Sequence, residues 1–256
     1  MNLNSRNGAR VKASLEVRER RRAENDARAA RIMTAAARVF ARRGVENATM
    51  EMIAREAKVA VGTIYLHFAS RDEVYLNLRA GLTGQLGTRY REVKARRLEP
   101  LEEIRTLAQV YIEYLHESAG PILISEPTPY YEIRKRLRRS SEIRAFDRGS
   151  KISHEVFLLF EASVKRAFEA GLIADALGPT GVTIAIWSIL NGAFMVTRDR
   201  EFMVHVTGVA PDGFVAKALD SYLKGVAAAA RAGTRRPKAP QRRNSVLGMQ
   251  RKGASL

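Results

Sequence analysis

The sequence predicts an all-α fold in two parts, a small N-terminal three-helix unit and a larger helical domain behind it. Three observations carry this. Apolar residues recur at helical spacing through most of the chain. No strand or hairpin signal interrupts them, and no repeat of fixed period appears. Two short helices joined by a three-residue turn sit between Thr49 and Phe68.

Residues 1–25 hold few large apolar groups and read as a flexible basic arm, with Arg18 to Arg22 able to extend a helix. From Asp26 to Arg43, Ile32, Ala36, Val39 and Phe40 fall on one helical face, and Gly44 follows as a stop. Thr49 caps Met50 to Ala57. Lys58, Val59 and Ala60 make a turn, and Val61 to Phe68 is the second short helix. Ser70 caps a third helix, with Asp72 and Glu73 in its first turn, running towards Arg91.

Beyond Pro100 everything reads as helix. Leu101, Ile104, Leu107, Ala108, Tyr111 and Leu115 form one stripe. Gly120, Pro121, Pro127 and Pro129 break the chain over 119–129, and a basic segment follows from Glu132 to Arg148. Ile152 to Ala170 is amphipathic, and Pro179 to Thr197 is apolar nearly all round. Phe202 to Gly208 links to a last helix, Pro211 to Ala230. The composition then shifts to Arg, Lys, Pro, Gly and Ser. The boundaries follow: a flexible arm 1–25, a helix-turn-helix domain 26–91, a helical domain 92–230 and a disordered basic tail 231–256.

The 256 residues carry 44 Lys and Arg against 27 Asp and Glu, a formal charge of +17. The surplus is segregated: +4 in 1–25, +5 in 26–91, zero in 92–230 and +8 in 231–256. A neutral body with a basic front asks for a polyanion, nucleic acid before membrane. Neither tail carries a large apolar face. Zero Cys excludes disulfides, thiolate metal sites and a Cys nucleophile. No apolar run follows the first charges, so a cytoplasmic location is expected.

In a helix-turn-helix the first helix braces while the second offers its first residues to the major groove. Ile53, Ala54, Ala57, Val59, Ile64 and Phe68 supply a small core for such a pair. The pattern Thr49-x3-Ile53-Ala54-x2-Ala57-x-Val59-x2-Gly62-Thr63-Ile64-Tyr65-Leu66-His67-Phe68-x2-Arg71-Asp72-Glu73-Val74 resembles the N-terminal signature of the TetR family of bacterial transcriptional regulators, over residues 28–82.

The resemblance implies a helix-turn-helix domain followed by a helical ligand-binding and dimerisation domain. It implies a ligand-responsive homodimeric regulator, a repressor, on a palindromic double-stranded DNA operator. It also assigns roles. Thr49 resembles a phosphate-holding residue. Val61, Gly62 and Thr63 open the recognition helix, with Ala60 and Leu66 completing the DNA-facing set. Tyr65, His67 and Arg71 resemble phosphate contacts. Three positions depart from the family pattern: Lys58 replaces a turn glycine, Ala60 replaces a capping serine, and Val61 replaces a polar reader.

Further candidates come from the second domain. Gly181, Ala185, Ser188 and Gly192 make a small-residue face on an apolar helix of membrane-spanning length. A buried interface helix is the reading adopted, because polar and small residues interrupt it, and the resemblance makes it part of a dimer interface. Tyr111, Tyr114, Tyr130, Tyr131, Phe157, Phe160 and Trp187 either line an effector pocket or fill a plain core. Arg134, Lys135, Arg136, Arg138 and Arg139 either face solvent, the simpler reading, or hold an acidic effector group. His116, His154 and His205 show no metal-ligand spacing, and no catalytic constellation is found, so no cofactor, metal or enzymatic activity is expected. The rival functional class is a non-sequence-specific architectural protein that holds DNA by charge alone.

Overall fold

The computed structural model describes residues 4–119, 130–211 and 213–231, with side chains from Glu16 on, apart from those of 118–119, 130–131 and 231. The described residues form nine α-helices and no strand. The helices are α1 (Asn4–Arg43), α2 (Met50–Ala57), α3 (Val61–Tyr65), α4 (Arg71–Ala95) and α5 (Pro100–Tyr114). After them come α6 (Tyr130–Arg136), α7 (Ser140–Glu169), α8 (Gly178–Thr197) and α9 (Phe214–Arg231). Short π-helical turns occupy Leu115–Ala119 and Phe202–Thr207. The Pro-rich break at 120–129 and the tail beyond 231 lie outside the described residues.

Local chemistry sets the boundaries of the first four helices. Gly44, at φ 73°, ends α1 by donating its N–H to the Phe40 carbonyl at 2.9 Å. Thr49 Oγ1 accepts the Met52 N–H at the start of α2. Ser70 Oγ accepts the Glu73 N–H, while Glu73 Oε2 accepts the Ala69 N–H at 2.7 Å, so the two side chains cap α4 reciprocally. Lys58 ends α2 in the left-handed region (φ 55°, ψ 46°), where Val59 donates back to the Ala54 carbonyl. A side-chain-bearing residue there is strained.

The helix α1 begins at Asn4, far ahead of the Asp26 that apolar periodicity suggests. The segment expected to be a flexible arm is helical. Its side chains from Glu16 to Arg28 are exposed, so no core holds it. Arg20 pairs with Glu24 at 3.0 Å and Arg22 with Asp26 at 3.9 Å, both at i, i+4. Helix-forming Arg, Glu and Ala residues let a helix anchored downstream continue outward.

Two apolar clusters organise the molecule. The first gathers Ile32, Val39 and Phe40 of α1, Ile53 and Ala54 of α2, Ile64, Phe68, and Val74, Tyr75 and Leu78 of α4. Phe40 and Tyr75 meet edge to face with centroids 6.1 Å apart. Ile133, Leu137 and Ala145 belong to this cluster too. Packing therefore crosses the boundary placed between residues 91 and 92, as does α4 itself. The second cluster joins α4, α5, α7, α8 and α9 through Leu107, Phe160, Val164, Ile186 and Leu223 among others.

At the far end of that bundle, the fully buried Glu103 accepts from Lys94 Nζ (2.7 Å), Ser163 Oγ (2.6 Å) and Arg166 Nη1 (3.1 Å). Arg166 also donates to the Leu98 carbonyl. Burial by itself raises the Glu103 carboxyl. The hydrogen bonds and charges of Lys94, Ser163 and Arg166 outweigh it and hold the group below the ordinary glutamate value.

Two stability outcomes follow. Glu103→Ala leaves two cations facing an apolar gap and is expected to cost about 2–3 kcal/mol in urea unfolding at pH 7. Because the folded-state value is lowered, this contribution is present at neutral pH and is lost as acid titrates the carboxylate, so the variant and wild type converge at low pH. Lys58→Gly relieves the left-handed strain and is expected to stabilise by about 0.5–1 kcal/mol, read as a rise in melting temperature.

Candidate functional site

The turn from α2 to α3 presents one outward face. Ile64 and Phe68 point into the first cluster, which turns Gly62, Tyr65 and Leu66 outward. Leu66 is 85% exposed and Tyr65 51% exposed, high for such apolar side chains. Thr49 and Ala60 are exposed, and Thr63 and His67 are half-buried. Val61 lies partly against the core, so only part of its surface faces outward. Ala60 provides no side-chain cap for α3. Gly62 has ordinary helical backbone, and a Cβ built on it meets nothing within 4 Å. Nothing inside the fold requires glycine there.

Arg71 is placed differently from the role its motif implies. Its Nη1 donates to the Glu46 carbonyl at 2.7 Å and its Nη2 to Glu46 Oε2 at 3.2 Å. The same guanidinium donates to Asp72 Oδ1 at 3.0 Å. Its donors are occupied within the protein, so it joins the α1–α2 loop to the start of α4 rather than reaching outward.

The basic segment 134–139 is exposed, with local partners for several of its side chains. Arg136 donates to Glu46 Oε1 at 3.1 Å and lies 4.0 Å from Asp72. Arg139 donates to the Ala69 carbonyl, and Arg138 to carbonyls of its own turn. Arg134 stands 5.9 Å over the Phe146 ring. Ser141 Oγ lies 3.0 Å from Glu73 Oε2, and Arg148 donates to Asn77. These residues are all exposed, as the simpler reading expects, and none of them lines the cavity; Arg136 and Arg139 also tie this segment to the start of α4.

A cavity of about 550 Å³ lies between α4, α5, α7 and α8. Tyr111, Tyr114, Phe157, Phe160 and Trp187 all line it. The side chains of Tyr130 and Tyr131 lie outside the described residues. The lining from α4 (Arg79, Thr83, Leu86 and Tyr90) is not anticipated from the sequence, although its i, i+4, i+7, i+11 spacing marks one face. Trp187 Nε1 donates to the Tyr111 hydroxyl at 2.7 Å, which donates to Asn191 Oδ1 at 2.9 Å. Burial pushes the Tyr111 and Tyr114 phenols up from the ordinary phenol value.

On α8, Val182, Ile186, Leu190 and Phe194 face the core. Gly181, Ala185, Ser188 and Gly192 lie on the opposite side, beside the exposed Ile184 and Met195. This helix is long and apolar enough to cross a membrane by length and composition, but one face is packed in the bundle. Among the described residues no group of three or more His, Asp or Glu converges as metal ligands.

Comparison with known proteins agrees with this geometry. The sequence profile of the bacterial regulatory proteins, tetR family, matches residues 32–78. The chain is 28% identical over 134 residues to the HTH-type transcriptional repressor KstR2 of Mycobacterium tuberculosis, spanning 48% of this chain and 67% of the relative. It is 29% identical over 106 residues to the HTH-type transcriptional activator FasR of Mycolicibacterium smegmatis, spanning 41% of this chain and 48% of that one. The fold resembles the transcriptional regulator FadR of Bacillus subtilis, solved in complex with stearoyl-CoA. Their TM-score is 0.56 at 18% identity, over 77% of this chain and 98% of that one. The helix-turn-helix face, the all-helical body behind it and these likenesses agree: residues 32–78 form a DNA-binding domain of the type that opens the TetR family of transcriptional regulators, and the chain is similar to members of that family.

Proposed function

We propose that this chain is a repressor that holds a pseudo-palindromic operator as a cytoplasmic homodimer and releases it when a small, mostly apolar ligand enters the cavity. The course of α4 carries this reading. The helix starts just after Phe68, at the end of the helix-turn-helix, and lines the cavity with Arg79, Thr83, Leu86 and Tyr90. A ligand and the DNA therefore act on one rigid element. Ligand that fits one placement of α4 better than another shifts the population of DNA-competent dimers, a coupling of about 1–3 kcal/mol in typical cases.

On the DNA side, Ala60, Val61, Gly62 and Thr63 meet base edges in the major groove. Gly62 lets the backbone approach, and Val61 offers its methyls to thymine. Thr49, Tyr65, Leu66 and His67 flank them towards the phosphates. Arg71 acts by positioning α4. The dimer forms through the free face of α8 together with α9, where Ile184, Met195 and the small residues allow close helix approach. A two-fold axis there sets two recognition helices about 34–36 Å apart, or more, on successive grooves.

The competing reading is charge-driven, sequence-independent binding, favoured by the +17 net charge. Selection of genomic fragments by the purified protein at about 150 mM salt separates the two. One recovered palindrome supports the repressor, and random fragments support the rival. On that operator, replacing Tyr65 and His67 together by Ala is expected to weaken binding about 10–100-fold without changing the circular dichroism, since neither side chain is buried. Ala185→Glu is expected to convert the dimer to monomer in sedimentation and to abolish operator binding. An intact dimer places the interface elsewhere.

A further inference from the structure

The face of α1 that packs into the first apolar cluster does not end with that cluster. Ile32, Ala36 and Val39 carry it inside the body. Outward from Ile32 at helical spacing, the same row continues through Arg28, Asn25, Arg21 and Arg18, at i−4, i−7, i−11 and i−14. A stripe that is apolar where the body covers it becomes basic where the body stops.

The acids keep off this row. Glu16, Glu19 and Asp26 fall on the opposite side of the helix, and Glu24 lies on its flank. The pairs Arg20–Glu24 and Arg22–Asp26 run beside the row rather than along it. Arg18, Arg21 and Arg28 are exposed and enter no ion pair among the described residues. Arg18 also stands one turn from both Arg21 and Arg22, a like-charge spacing that costs helix stability unless an outside anion sits against it.

The row is held rigidly. Helix α1 is continuous from Asn4 to Arg43, and its Ile32, Val39 and Phe40 share one cluster with Ile53, Ile64 and Phe68 of the helix-turn-helix. The row therefore keeps a fixed placement relative to α3. From Arg18 to Arg28 it runs about 15 Å at 1.5 Å per residue. A duplex presents a phosphate about every 3.4 Å along each strand, so a chain of anions meets a chain of cations. An anionic membrane is the poorer match, because Val17 is the one large apolar side chain between Glu16 and Arg31.

We propose that the Arg18–Arg21–Arg28 row of α1 is a second DNA contact, which grips the phosphate backbone of the duplex outside the stretch that α3 reads. It adds affinity without reading bases, and it lengthens the DNA that each protomer covers. The inference goes beyond the groove contacts of α3 and rests on the regulator reading for the duplex that α3 holds.

Two double variants test the geometry with equal charge removed. Arg18→Gln with Arg21→Gln empties the row, Arg20→Gln with Arg31→Gln removes two arginines beside it, and Gln keeps a helix propensity close to that of Arg. Purified full-length proteins are titrated with a palindrome recovered by genomic selection, either trimmed to the site or carrying about 10 extra base pairs at each end, and with a random-sequence duplex of the longer length. On the flanked site at about 150 mM salt the row variant is expected to bind about fivefold or more weakly than wild type, and the off-row variant within about twofold of it. The slope of log affinity against log salt is expected to fall by about 2 per protomer in the row variant alone. Trimming the flanks is expected to bring the row variant and wild type together.

Equal losses in the two variants, no loss in either, or a loss that persists undiminished on the trimmed site overturns the proposal. Phosphatidylserine vesicles are tested alongside. If they retain wild type and release the row variant while DNA binding is the same in both, the row is a lipid contact and the proposal fails. If a palindrome is recovered and both variants bind it alike, the row is wrong and the regulator reading survives. If only random fragments are recovered, the regulator reading fails, and the two variants compared on the random duplex still decide whether the row holds DNA.

Discussion

The first turn of α4 is the constraint on which the rest of the molecule depends. Arg71 within it and Arg136 from the end of α6 converge on the Glu46 and Asp72 carboxylates. Ser70 and Glu73 cap it, and Ser141 and Arg139 bind the same turn from α7 and the loop before it. The α1–α2 loop, α6 and α7 thus all hold one point of the chain. Individually these half-exposed ion pairs are worth little, about 0–1 kcal/mol each. Together they decide where α3 stands relative to the bundle.

That weakness suits a regulator. A contact set whose members are each worth about a kilocalorie can be rearranged by a ligand whose differential affinity is of the same order. The apolar clusters do not separate cleanly into a DNA-binding body and a ligand-binding body, since Ile133, Leu137 and Ala145 reach back into the first. Helix α7 runs from that first cluster to Phe160 and Val164 in the second. Displacement of the cavity wall is therefore carried by packed helices, which repack between discrete arrangements rather than bending freely.

The helix-turn-helix was readable because every local signal there agrees. Gly44 stops a helix, Thr49 and Ser70 start two more, and Ile53, Ile64 and Phe68 share one interior. Lys58 was readable as a departure, and its left-handed backbone shows the strain. The helical continuation of α1 was not readable, because periodicity looks for an apolar face and this segment relies on helix propensity and paired charges. The cavity aromatics could be named, but not the α4 wall, whose Arg79, Thr83, Leu86 and Tyr90 mix polarities on one face. The fate of Arg71 depends on Glu46, 25 residues earlier, a pairing that no local pattern encodes.

The outward run of α1 has a consequence for encounter rates. Its first core residue is Ile32, so the helix from Asn4 onward projects about 40 Å at 1.5 Å per residue. Electrostatic attraction at physiological salt fades over about 8 Å. A polyanion approaching along that axis is thus sensed by exposed arginines such as Arg18 and Arg21 well before it feels the compact body. The helix enlarges the target that a diffusing duplex must strike, so the distance at which capture begins is set by the length of a rod rather than by the radius of a globule.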